Sequence, residues 1–551
     1  MEAGPEVWSQ VYDPMQNSAL STALAAVPIV VLLGSLAFLR IKAHWAALLG
    51  LAAALIVATV AFGMPVDTAL AAGAYGGAFG LLPVGWIILN VIFLYTMTME
   101  RGLFPVLQES LTALTADARL QLLLIAFCFG AFFEGAAGFG TPVAVTAAIL
   151  IGLGFDPLAA SGLTLIANTA PVAFGALGTP ITTLSAVSGL DLHKLSAMVG
   201  RQLPFFAVIV PFWLVAAYAG LRGMLEVWPA LLTAGLFFAV PQFLMSNLHG
   251  PWLVDVVASV SSMSALVVLL LIWRPRRHWA RAGHNGIAPQ PARRKLGRAV
   301  VARAWLPWLI LSVIVFVWGL SDVKAFLDGI STIKIPFPHL HQLVQRTPPV
   351  VRTSEPEAAI YSLNWLSATG TGILLAAVIS GVVMGFGPRK MIHLYWMTLK
   401  RVRFSLVTVV AMLALGYVTR YSGLDATLGL AFAHTGVLYP FFGTLLGWLG
   451  VALTGSDTSS NVLFGSLQRI SAEQLGISSI LMAAANSSGG VMGKMIDAQS
   501  IVVASTATKW YGHEGEIIRY VFLHSLILAA LVGGLVCLQA YVFPLTEMVV
   551  R

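Results

Sequence analysis

Charged residues are scarce in this chain, and their scarcity excludes an ordinary soluble protein. Only 10% of the 551 residues are charged and 58% are hydrophobic, whereas about 25% of a typical soluble chain is charged. Apolar runs of roughly 20 residues, each long enough to cross a bilayer as a helix, recur along the sequence. They cover 24–41, 44–63, 81–98, 203–221, 230–248, 253–273, 304–320, 368–387, 403–419 and 518–543. With further Gly-rich candidates, the sequence predicts an all-α polytopic membrane protein of about 12–14 transmembrane helices.

Cysteine is nearly absent, and so are the signatures of enzymes. Cys128 and Cys537 both lie in apolar segments, which excludes a disulfide framework and a cysteine-rich metal site. Neither His-Glu-x-x-His nor Gly-x-Ser-x-Gly occurs, and GGVMGKM at 489–495 is one residue short of a phosphate-binding loop. We therefore expect no cofactor, no metal and no enzymatic activity, with an intramembrane hydrolase as the rival class. Residues 1–21 carry acids and no apolar core, so we expect no cleavable signal peptide.

The few charges are unevenly distributed. Residues 274–303 contain nine Lys or Arg and no acid, which between spans is typical of a cytoplasmic loop and not of a nucleic-acid site. This basic linker divides the chain into a first transmembrane half, 1–273, and a second, 304–551. In the second half, residues 322–360 contain four basic and four acidic residues. This absence of an excess of positive charge predicts an extracytoplasmic segment. The acidic N-terminus is expected on the same outer side.

Two stretches, 134–181 and 454–501, repeat the same order of features. Each opens with small polar and Gly residues around one acid, continues into an apolar helix, and breaks at an Asn followed by hydroxyl residues, at Asn168 and Asn486. Paired Gly-interrupted segments in two halves of a membrane protein are typical of transporters whose broken helices meet at a central site. The pattern predicts two inverted repeats with broken helices and re-entrant hairpins, and it favours a transporter over a channel or a hydrolase.

The sequence EGAAGFGTP at 134–142 buries a carboxylate and follows it with three glycines and a proline. Irregular backbone at membrane depth is tolerated only where protein or a water-filled cavity covers it, and the helix N-termini exposed by such breaks bind anions. We therefore expect a carboxylate substrate between the two stretches. The candidate substrate-binding residues are Gly135, Gly138, Gly140, Asn168, Thr169, Ser456, Thr458, Ser459, Ser460, Asn461, Asn486, Ser487, Ser488 and Gly489.

Four ionisable residues are candidates for carrying a coupling proton: Glu134, Asp457, His434 and Lys494. Glu134 is the strongest, because an acid at membrane depth costs roughly 2.5–3.5 kcal/mol on insertion scales and usually marks function. Structural alternatives stay open for the others. Asp457 is also placed to cap a helix, Lys494 to pair with Asp497, and His434 to pack. Likewise, the glycines, Asn and Ser/Thr residues are equally suited to helix packing.

Several long motifs around these residues carry a family resemblance. They are EGAAGFGTPVAVTAAILIGLGFDPLAASGLTLIANTAPVAFGALGTPI from 134, GRQLPF at 200–205, LTGSDTSSN at 453–461, AANSSGGVMGKMI at 484–496 and YDP at 12–14. With them the sequence resembles the bacterial L-lactate permease family over nearly its whole length. The resemblance implies a secondary transporter of the bacterial cytoplasmic (inner) membrane that moves L-lactate, D-lactate and glycolate with protons. It also implies kinship with transporters whose re-entrant hairpin tips bind carboxylates. Coupling by Na⁺ in place of H⁺ stays open, as does the oligomeric state.

Overall fold

A computed structural model describes residues 7–37, 39, 41–112, 114–136, 138, 141–275, 279, 297–351, 353–510 and 513–551. Gly140 and most of the basic linker 274–303 lie outside these described residues. Within them the chain forms 23 α-helices, joined by short π- and 3₁₀-helical segments, and five short strands. The helical membrane fold predicted from the apolar runs is confirmed.

The first half of the chain contains thirteen α-helices. They are α1 (Ser18–Ala37), α2 (Ala43–Ile56), α3 (Val66–Phe79), α4 (Trp86–Glu100), α5 (Leu103–Thr112), α6 (Ala118–Leu122), α7 (Gly130–Ala136), α8 (Thr141–Gly152), α9 (Pro157–Ala167), α10 (Gly175–Ser188), α11 (Leu192–Glu226), α12 (Trp228–Leu248) and α13 (Val254–Ile272). The π-helical segments Val57–Ala61, Gly80–Gly85 and Leu123–Phe129 extend α2, α3 and α6, and Val172–Phe174 is a 3₁₀ turn between α9 and α10.

The second half contains ten α-helices. They are α14 (Arg298–Gly319), α15 (Ser321–Ser331), α16 (Thr369–Val383), α17 (Pro388–Ser422), α18 (Leu424–Ala433), α19 (Tyr439–Thr454), α20 (Asp457–Leu475), α21 (Ser479–Gly493), α22 (Ala498–Ala507) and α23 (Glu514–Tyr541). The 3₁₀ turns Gly436–Leu438 and Leu545–Met548 precede α19 and follow α23.

The helices long enough to span a membrane match the ten apolar runs in number but are fewer than the total of 12–14 predicted with the Gly-rich candidates. In the described part of the chain nine helical segments qualify, or up to 11 if each of two bent pairs is one span. The bent pairs are Pro157–Ala167 with Val172–Ser188, at 63°, and Leu424–Ala433 with Gly436–Ala452, at 111°. Three further apolar helices, within α1, α8 and α16, are shorter than 18 residues. The difference arises because half-helices and hairpin arms are too short to cross about 30 Å of hydrocarbon.

Side-chain caps fix where several of the short helices begin. Asp156 precedes α9 and accepts from the backbone N–H of Leu158 at 3.1 Å, and Asp497 precedes α22 and accepts from Ser500 N–H at 2.7 Å. Ser478 does the same for α21, with 3.2 Å to Leu481 N. A cap satisfies one of the four N–H groups left free at a helix start and contributes about 1 kcal/mol. Asp156, Ser478 and Asp497 therefore mark the starts of helices in a sequence that is apolar on both sides of each break.

The two halves of the chain do not pack as separate bodies. Helices α2, α3 and α4 of the first half pack against α16 and α17 of the second. A second group joins α9, α10 and α11 of the first half to α20, α21 and α23 of the second, with α19 packed on α21. Each group thus combines helices from both halves, and the polar breaks of both stretches fall within the second group.

Short strands form outside the helices, where the sequence predicted only an extracytoplasmic segment. Strands β1 (Trp8–Ser9), β3 (Val344–Arg346) and β4 (Glu355–Pro356) form one sheet in the order β1-β3-β4, and β2 (Thr332–Pro336) pairs antiparallel with β5 (Ile360–Asn364). Trp8 lies opposite Val344 in a parallel pair, and Thr332 lies opposite Asn364. The N-terminal residues and 322–360 therefore lie on the same side of the protein.

A buried ion cluster fastens the segment 322–360 to the helices. Arg420, at the end of α17, donates from Nε to Glu357 Oε1 at 2.8 Å, and Arg346 Nε lies 3.3 Å from Glu357 Oε2. Arg420 also donates from Nη1 to the carbonyls of Ala186 and Val187 at the end of α10, each at 3.2 Å. Burial alone raises the pKa of Glu357, but the charges of Arg420 and Arg346 outweigh burial and hold this pKa below its usual range.

Replacing Glu357 by Gln is expected to destabilise the protein by about 3–5 kcal/mol at neutral pH, because Arg420 is left buried without its counter-ion. Because the pKa of Glu357 is lower in the folded protein than in the unfolded chain, the ion pair stabilises the fold fully above the unfolded-state pKa of about 4.3. This stabilisation is lost as the pH falls through the folded-state pKa. Thermal unfolding in detergent should separate wild type from Glu357→Gln at pH 7, and the two should converge in acid.

The matched control for this comparison is Asp67→Asn, in an ion pair with His339 whose side chains are 63% and 69% exposed. An exposed pair contributes little, so this control should melt with the wild type. Equal melting of Glu357→Gln and wild type at pH 7 would contradict a structural role for the cluster.

Candidate functional site

A cavity lies where the polar breaks of the two halves meet. Its empty volume is about 510 Å³, which includes its open mouth. The tip between α19 and α20 and the start of α10 form most of its wall, with Glu134, Gly138 and Lys494 completing it. The lining residues are Glu134, Gly138, Val172, Gly175, Ala176, Thr179, Pro180, Gly455, Ser456, Asp457, Thr458 and Lys494. The structure thus brings together segments that are about 320 residues apart in the sequence.

The elements around the cavity repeat in the same order. In the first half, helix α7, residues 137–140 and α8 are followed by the broken pair α9 and α10 and then by the long α11. In the second half, α19, a tip at Gly455 and Ser456, and α20 are followed by α21, a break, α22 and the long α23. The shared order of breaks in the sequence therefore corresponds to a shared order of helices.

Two helix N-termini border the cavity. Helix α20 begins at Asp457, with the hydroxyl oxygen of Ser456 accepting from Ser459 N–H at 3.3 Å. The regular part of α10 begins after Ala176, Leu177 and Gly178, whose φ angles of 44°, 53° and 75° are left-handed. Left-handed conformations cost roughly 1–2 kcal/mol for residues other than Gly, so the fold holds strained backbone beside the cavity. The dipole of each N-terminus favours an anion there.

The charged groups of the cavity are Lys494, Glu134 and Asp457. Lys494 Nζ donates to the carbonyl of Gly455 at 2.6 Å and lies 3.4 Å from Asp497 Oδ2, so the alternative of a pair with Asp497 is present. Asp457 Oδ2 accepts from the hydroxyl of Ser487 and, at 3.3 Å, from Asn461 Nδ2. Lys494 is the basic residue among the described lining residues.

Several buried polar atoms near the cavity have no hydrogen-bond partner among the described residues. They include Glu134 Oε2, Asp457 Oδ1 and both amide atoms of Asn168. Asn168 is the residue that follows the last turn of α9. Because buried polar groups are nearly always satisfied, a cluster of unsatisfied ones beside a cavity indicates a place for a polar ligand, water or proton.

Most of the predicted Asn and Ser residues do not line the cavity. Several of them form hydrogen bonds between the helices that surround it. Asn486 Nδ2 donates to Asn461 Oδ1 at 3.0 Å, and Asn461 Nδ2 donates to the carbonyl of Pro180 at 3.2 Å. Gln468 donates to Asn486 Oδ1 at 3.2 Å and accepts from Tyr439. This chain of bonds ties α20 and α21 to the start of α10.

Three further predicted hydroxyls donate hydrogen bonds within the protein. Ser460 donates to the carbonyl of Gly447 at 3.1 Å, Ser488 to Gln202 Oε1 at 2.7 Å, and Thr169 to the carbonyl of Ile166 at 2.8 Å. None of these three lines the cavity in the described part of the chain. Ser459 lines a neighbouring cavity instead. The interhelical alternative is therefore present at Ser460 and Ser488, whereas Thr169 bonds to a carbonyl three residues earlier in the chain.

Two of the four predicted glycines, Gly135 and Gly489, lie in close helix packing. A Cβ on Gly489 would overlap the Thr444 carbonyl of α19, and one on Gly135 would lie 2.6 Å from Asp255 Cβ. Gly138 lines the cavity with φ +57°. Gly140 lies outside the described residues. Close packing of α21 on α19 thus accounts for Gly489, whereas Gly138 alone of the described three borders the cavity.

The structure does not bring His434 to the cavity. This residue lies exposed at the bend between α18 and α19, with Nδ1 3.0 Å from the carbonyl of Leu430. It lines neither described cavity. An ionisable residue in an apolar run was the signal for its selection, but the sequence does not show that the run bends there.

Sequence reasoning missed part of the cavity wall and one buried acid. Thr179 and Pro180 line the cavity, and Asp255 lies buried against Gly135, the neighbour of Glu134 in the chain. A signal for the first two exists: Gly-Thr-Pro occurs at 140–142 and again at 178–180. Asp255 carries no such signal, because a single acid at the start of an apolar run resembles an ordinary helix start.

A second cavity adjoins the first through Thr179, Ser456 and Thr458, which line both. Its empty volume is about 780 Å³, and hydroxyls of Ser405 and Thr408 on α17 face it. It lies between α17 and the α19–α20 tip, on the side of the first cavity that faces α17.

Comparison with known proteins connects this arrangement to a family. The family model described as L-lactate permease matches residues 21–543. The glycolate permease GlcA of Escherichia coli K12 is 47% identical over 97% of this chain and 98% of its own length. The L-lactate permease of Salmonella typhimurium LT2 is 46% identical over the same shares, and that of Bacillus subtilis 168 is 42% identical over 97% and 99%.

Solved structures are more distant. The antimetabolite efflux pump MtrF of Neisseria gonorrhoeae aligns with a TM-score of 0.44 and 14% identity, over 85% of this chain and 83% of that one. The whole-chain match to permeases confirms that the protein is a multi-pass membrane transporter of bacterial type and not an enzyme. The chain belongs to the L-lactate permease family.

Proposed function

We propose that the protein is a secondary active transporter that imports L-lactate, and also D-lactate and glycolate, by proton symport. The observation that carries this proposal is the cavity in which two helix N-termini meet Lys494, Glu134 and Asp457. The names of the relatives, glycolate permease and L-lactate permease, support 2-hydroxymonocarboxylates as the substrate class.

The cavity suits a small carboxylate with a neighbouring hydroxyl. Such an acid is ionised at neutral pH, because a free carboxyl group of this kind has a pKa of about 3.5. The N-termini of α10 and α20 each offer roughly half a positive charge, and the Lys494 ammonium adds a full one. Thr179 and Thr458 on the wall supply hydroxyls for the substrate hydroxyl.

Proton coupling follows from the charges already in the cavity. Adding an anion beside the carboxyls of Glu134 and Asp457 costs electrostatic energy unless one of them binds a proton at the same time. Substrate binding and proton binding therefore strengthen each other, and this linkage is reciprocal. One proton carried with one monocarboxylate moves no net charge, so the pH gradient alone drives uptake.

Two other functions are weighed against this one. A sodium-coupled carboxylate transporter would use the same cavity, with Na⁺ in place of the proton. An intramembrane hydrolase needs a nucleophile beside a base. Among the described lining residues there is no His, and the Ser456 hydroxyl oxygen is engaged in capping α20. The wall thus favours binding and release over bond cleavage.

The deciding experiment is uptake of labelled L-lactate into proteoliposomes that contain the purified protein in sodium-free buffer. An inward proton gradient is imposed with and without a protonophore, and protein-free liposomes are the control. We expect accumulation that the protonophore abolishes, and competition by unlabelled D-lactate and glycolate but weaker competition by acetate, which lacks the hydroxyl.

Each outcome separates the alternatives. Uptake that appears only after sodium is added would overturn proton coupling and leave the substrate class intact. The absence of uptake in either buffer would overturn lactate as the substrate. Equal competition by acetate and glycolate would contradict recognition of the 2-hydroxyl group.

A further inference from the structure

Asp255 is a buried carboxyl group behind the cavity. It lies in the first turn of α13 with 1% of its surface exposed. Neither of its carboxyl oxygens has a hydrogen-bond partner among the described residues. A buried, unpaired carboxylate is costly enough that such groups rarely persist in the ionised form.

Asp255 packs directly against the hairpin that carries Glu134. A Cβ on Gly135 would lie 2.6 Å from Asp255 Cβ and 3.1 Å from the backbone nitrogen of Val256, so only a glycine allows this approach. Glu134, one residue earlier, lines the cavity, whereas Asp255 does not. Of the two carboxyls, that of Glu134 therefore borders the cavity and that of Asp255 lies away from it.

The other elements packed on α13 offer Asp255 no basic group. These elements are α7, α10, α12 and the π-helical segment Leu123–Phe129. Their described ionisable residues are Glu134 and Cys128, and Cys128 contacts the hydroxyl of Ser262 two turns further along α13. His249, which ends α12, is engaged through Nε2 with the carbonyl of Phe316. Glu134 is therefore the acidic residue on the described elements that pack against α13.

Glu134 has a different environment on its other side. Glu134 lines the same cavity as Lys494, whose Nζ lies 3.4 Å from Asp497 Oδ2. Two neighbouring carboxyls in a low-dielectric site do not both ionise, so the pair shares at least one proton. Because Lys494 borders the cavity with Glu134, and the described elements packed on α13 bring no basic residue to Asp255, a proton shared by the pair is more stable on Asp255 when the cavity is empty.

We propose that Asp255 is a second proton-binding residue, and that the coupling site is the Glu134–Asp255 carboxyl pair. This inference rests on the proposed proton symport and adds the residue that stores the proton. When substrate enters, the proton moves from the Asp255 hydroxyl oxygen to the Glu134 carboxylate. Asp255 becomes the carboxylate and Glu134 the acid, and the charge of the pair is unchanged. A proton from the aqueous side then restores Asp255.

The test compares two reactions of Asp255→Asn in proteoliposomes. Asn is a neutral mimic of protonated Asp, so the variant should fold. With lactate on both sides the proton stays on Glu134 through the exchange cycle, so exchange needs no transfer through Asp255 and should stay within about twofold of the wild-type rate. Accumulation driven by a proton gradient should fall by about 100-fold, as expected when a proton-transfer group is removed. Asp67→Asn, exposed on α3, is the matched control and should retain both reactions.

A spectroscopic measurement covers the case in which Asp255→Asn does not exchange lactate. The infrared spectrum of the wild-type protein in D₂O at neutral pH should show the C=O stretch of a protonated aspartic acid, shifted by ¹³C labelling of the Asp carboxyls. Asp255→Glu, which keeps a carboxyl at this position, should recover part of the gradient-driven accumulation.

Three results would overturn the proposal. They are wild-type accumulation by Asp255→Asn, parallel loss of exchange and accumulation with no rescue by Asp255→Glu, or an infrared spectrum without a protonated aspartic acid. Failure of the proposed function itself is distinguishable, because the wild-type protein would then show no proton-driven accumulation at all.

Discussion

Replacing Glu134 by Gln is expected to abolish accumulation of lactate against a gradient while exchange of lactate across the membrane continues. The Glu134 side chain lines the cavity, and its Oε2 has no hydrogen-bond partner among the described residues. Gln has nearly the same shape but binds no proton, so the carrier would bind substrate without the obligatory partner ion. We expect a loss of about 100-fold in gradient-driven uptake, within the range for removal of a proton-transfer group.

The measurement is paired uptake and exchange of labelled L-lactate in the same proteoliposome preparation. Glu100→Gln is the matched control, because Glu100 lies at the end of α4 in an exposed ion pair with Lys390 at 2.7 Å. The control should behave as the wild type in both reactions. Normal accumulation by Glu134→Gln would remove Glu134 from the coupling mechanism. Loss of exchange together with accumulation would indicate a role in substrate binding.

Replacing Lys494 by Gln is expected to weaken substrate binding more than any other single change in the cavity wall. Its Nζ lies 2.6 Å from the Gly455 carbonyl at the hairpin tip, where a glutamine amide is also able to donate. The structural bond is therefore partly kept while the positive charge is lost. Hydrogen bonds to charged groups contribute about 1.5–3 kcal/mol, so the half-saturation concentration should rise at least about tenfold.

Half-saturation is measured from the initial rate of exchange, which separates affinity from coupling. Lys390→Gln, on the exposed surface opposite Glu100, is the control and should leave the half-saturation concentration unchanged. An unchanged value in Lys494→Gln would mean that the helix N-termini of α10 and α20 hold the anion without a cation. Loss of coupling at unchanged affinity would instead favour the proton-carrying role predicted for Lys494 from the sequence.

Local features of the sequence were sufficient for the fold class and for the breaks in it. Apolar runs identified spans, and the Gly-rich tips around Glu134 and Asp457 identified broken helices, because helix breaking depends on residues within one or two turns. The same reasoning missed α3 and underestimated α11, which begins at Leu192 where the prediction began at 203. Small and polar residues lower the hydropathy of those segments although they pack inside the protein.

The candidate site was predicted in outline and incomplete in detail. Glu134, Asp457, Ser456, Thr458 and Lys494 lie in one cavity. A list of small polar residues does not separate those that face the cavity from those that hold helices together. Asn461 and Asn486 have the same side chain as a ligand-binding Asn would, and only their bond of 3.0 Å to each other shows how they are used.

By itself the sequence determined that the protein is a multi-span helical membrane transporter with two similarly ordered polar breaks. Hydropathy, helix breaking and capping act over a few residues, so they can be read along the chain. The tertiary structure alone decided that the breaks share one cavity, that Thr179 and Pro180 line it, and that Asp255 lies against Gly135, the neighbour of Glu134 in the chain. These relations join helices from distant parts of the chain. They depend on which faces pack together, and a single sequence does not record such long-range contacts.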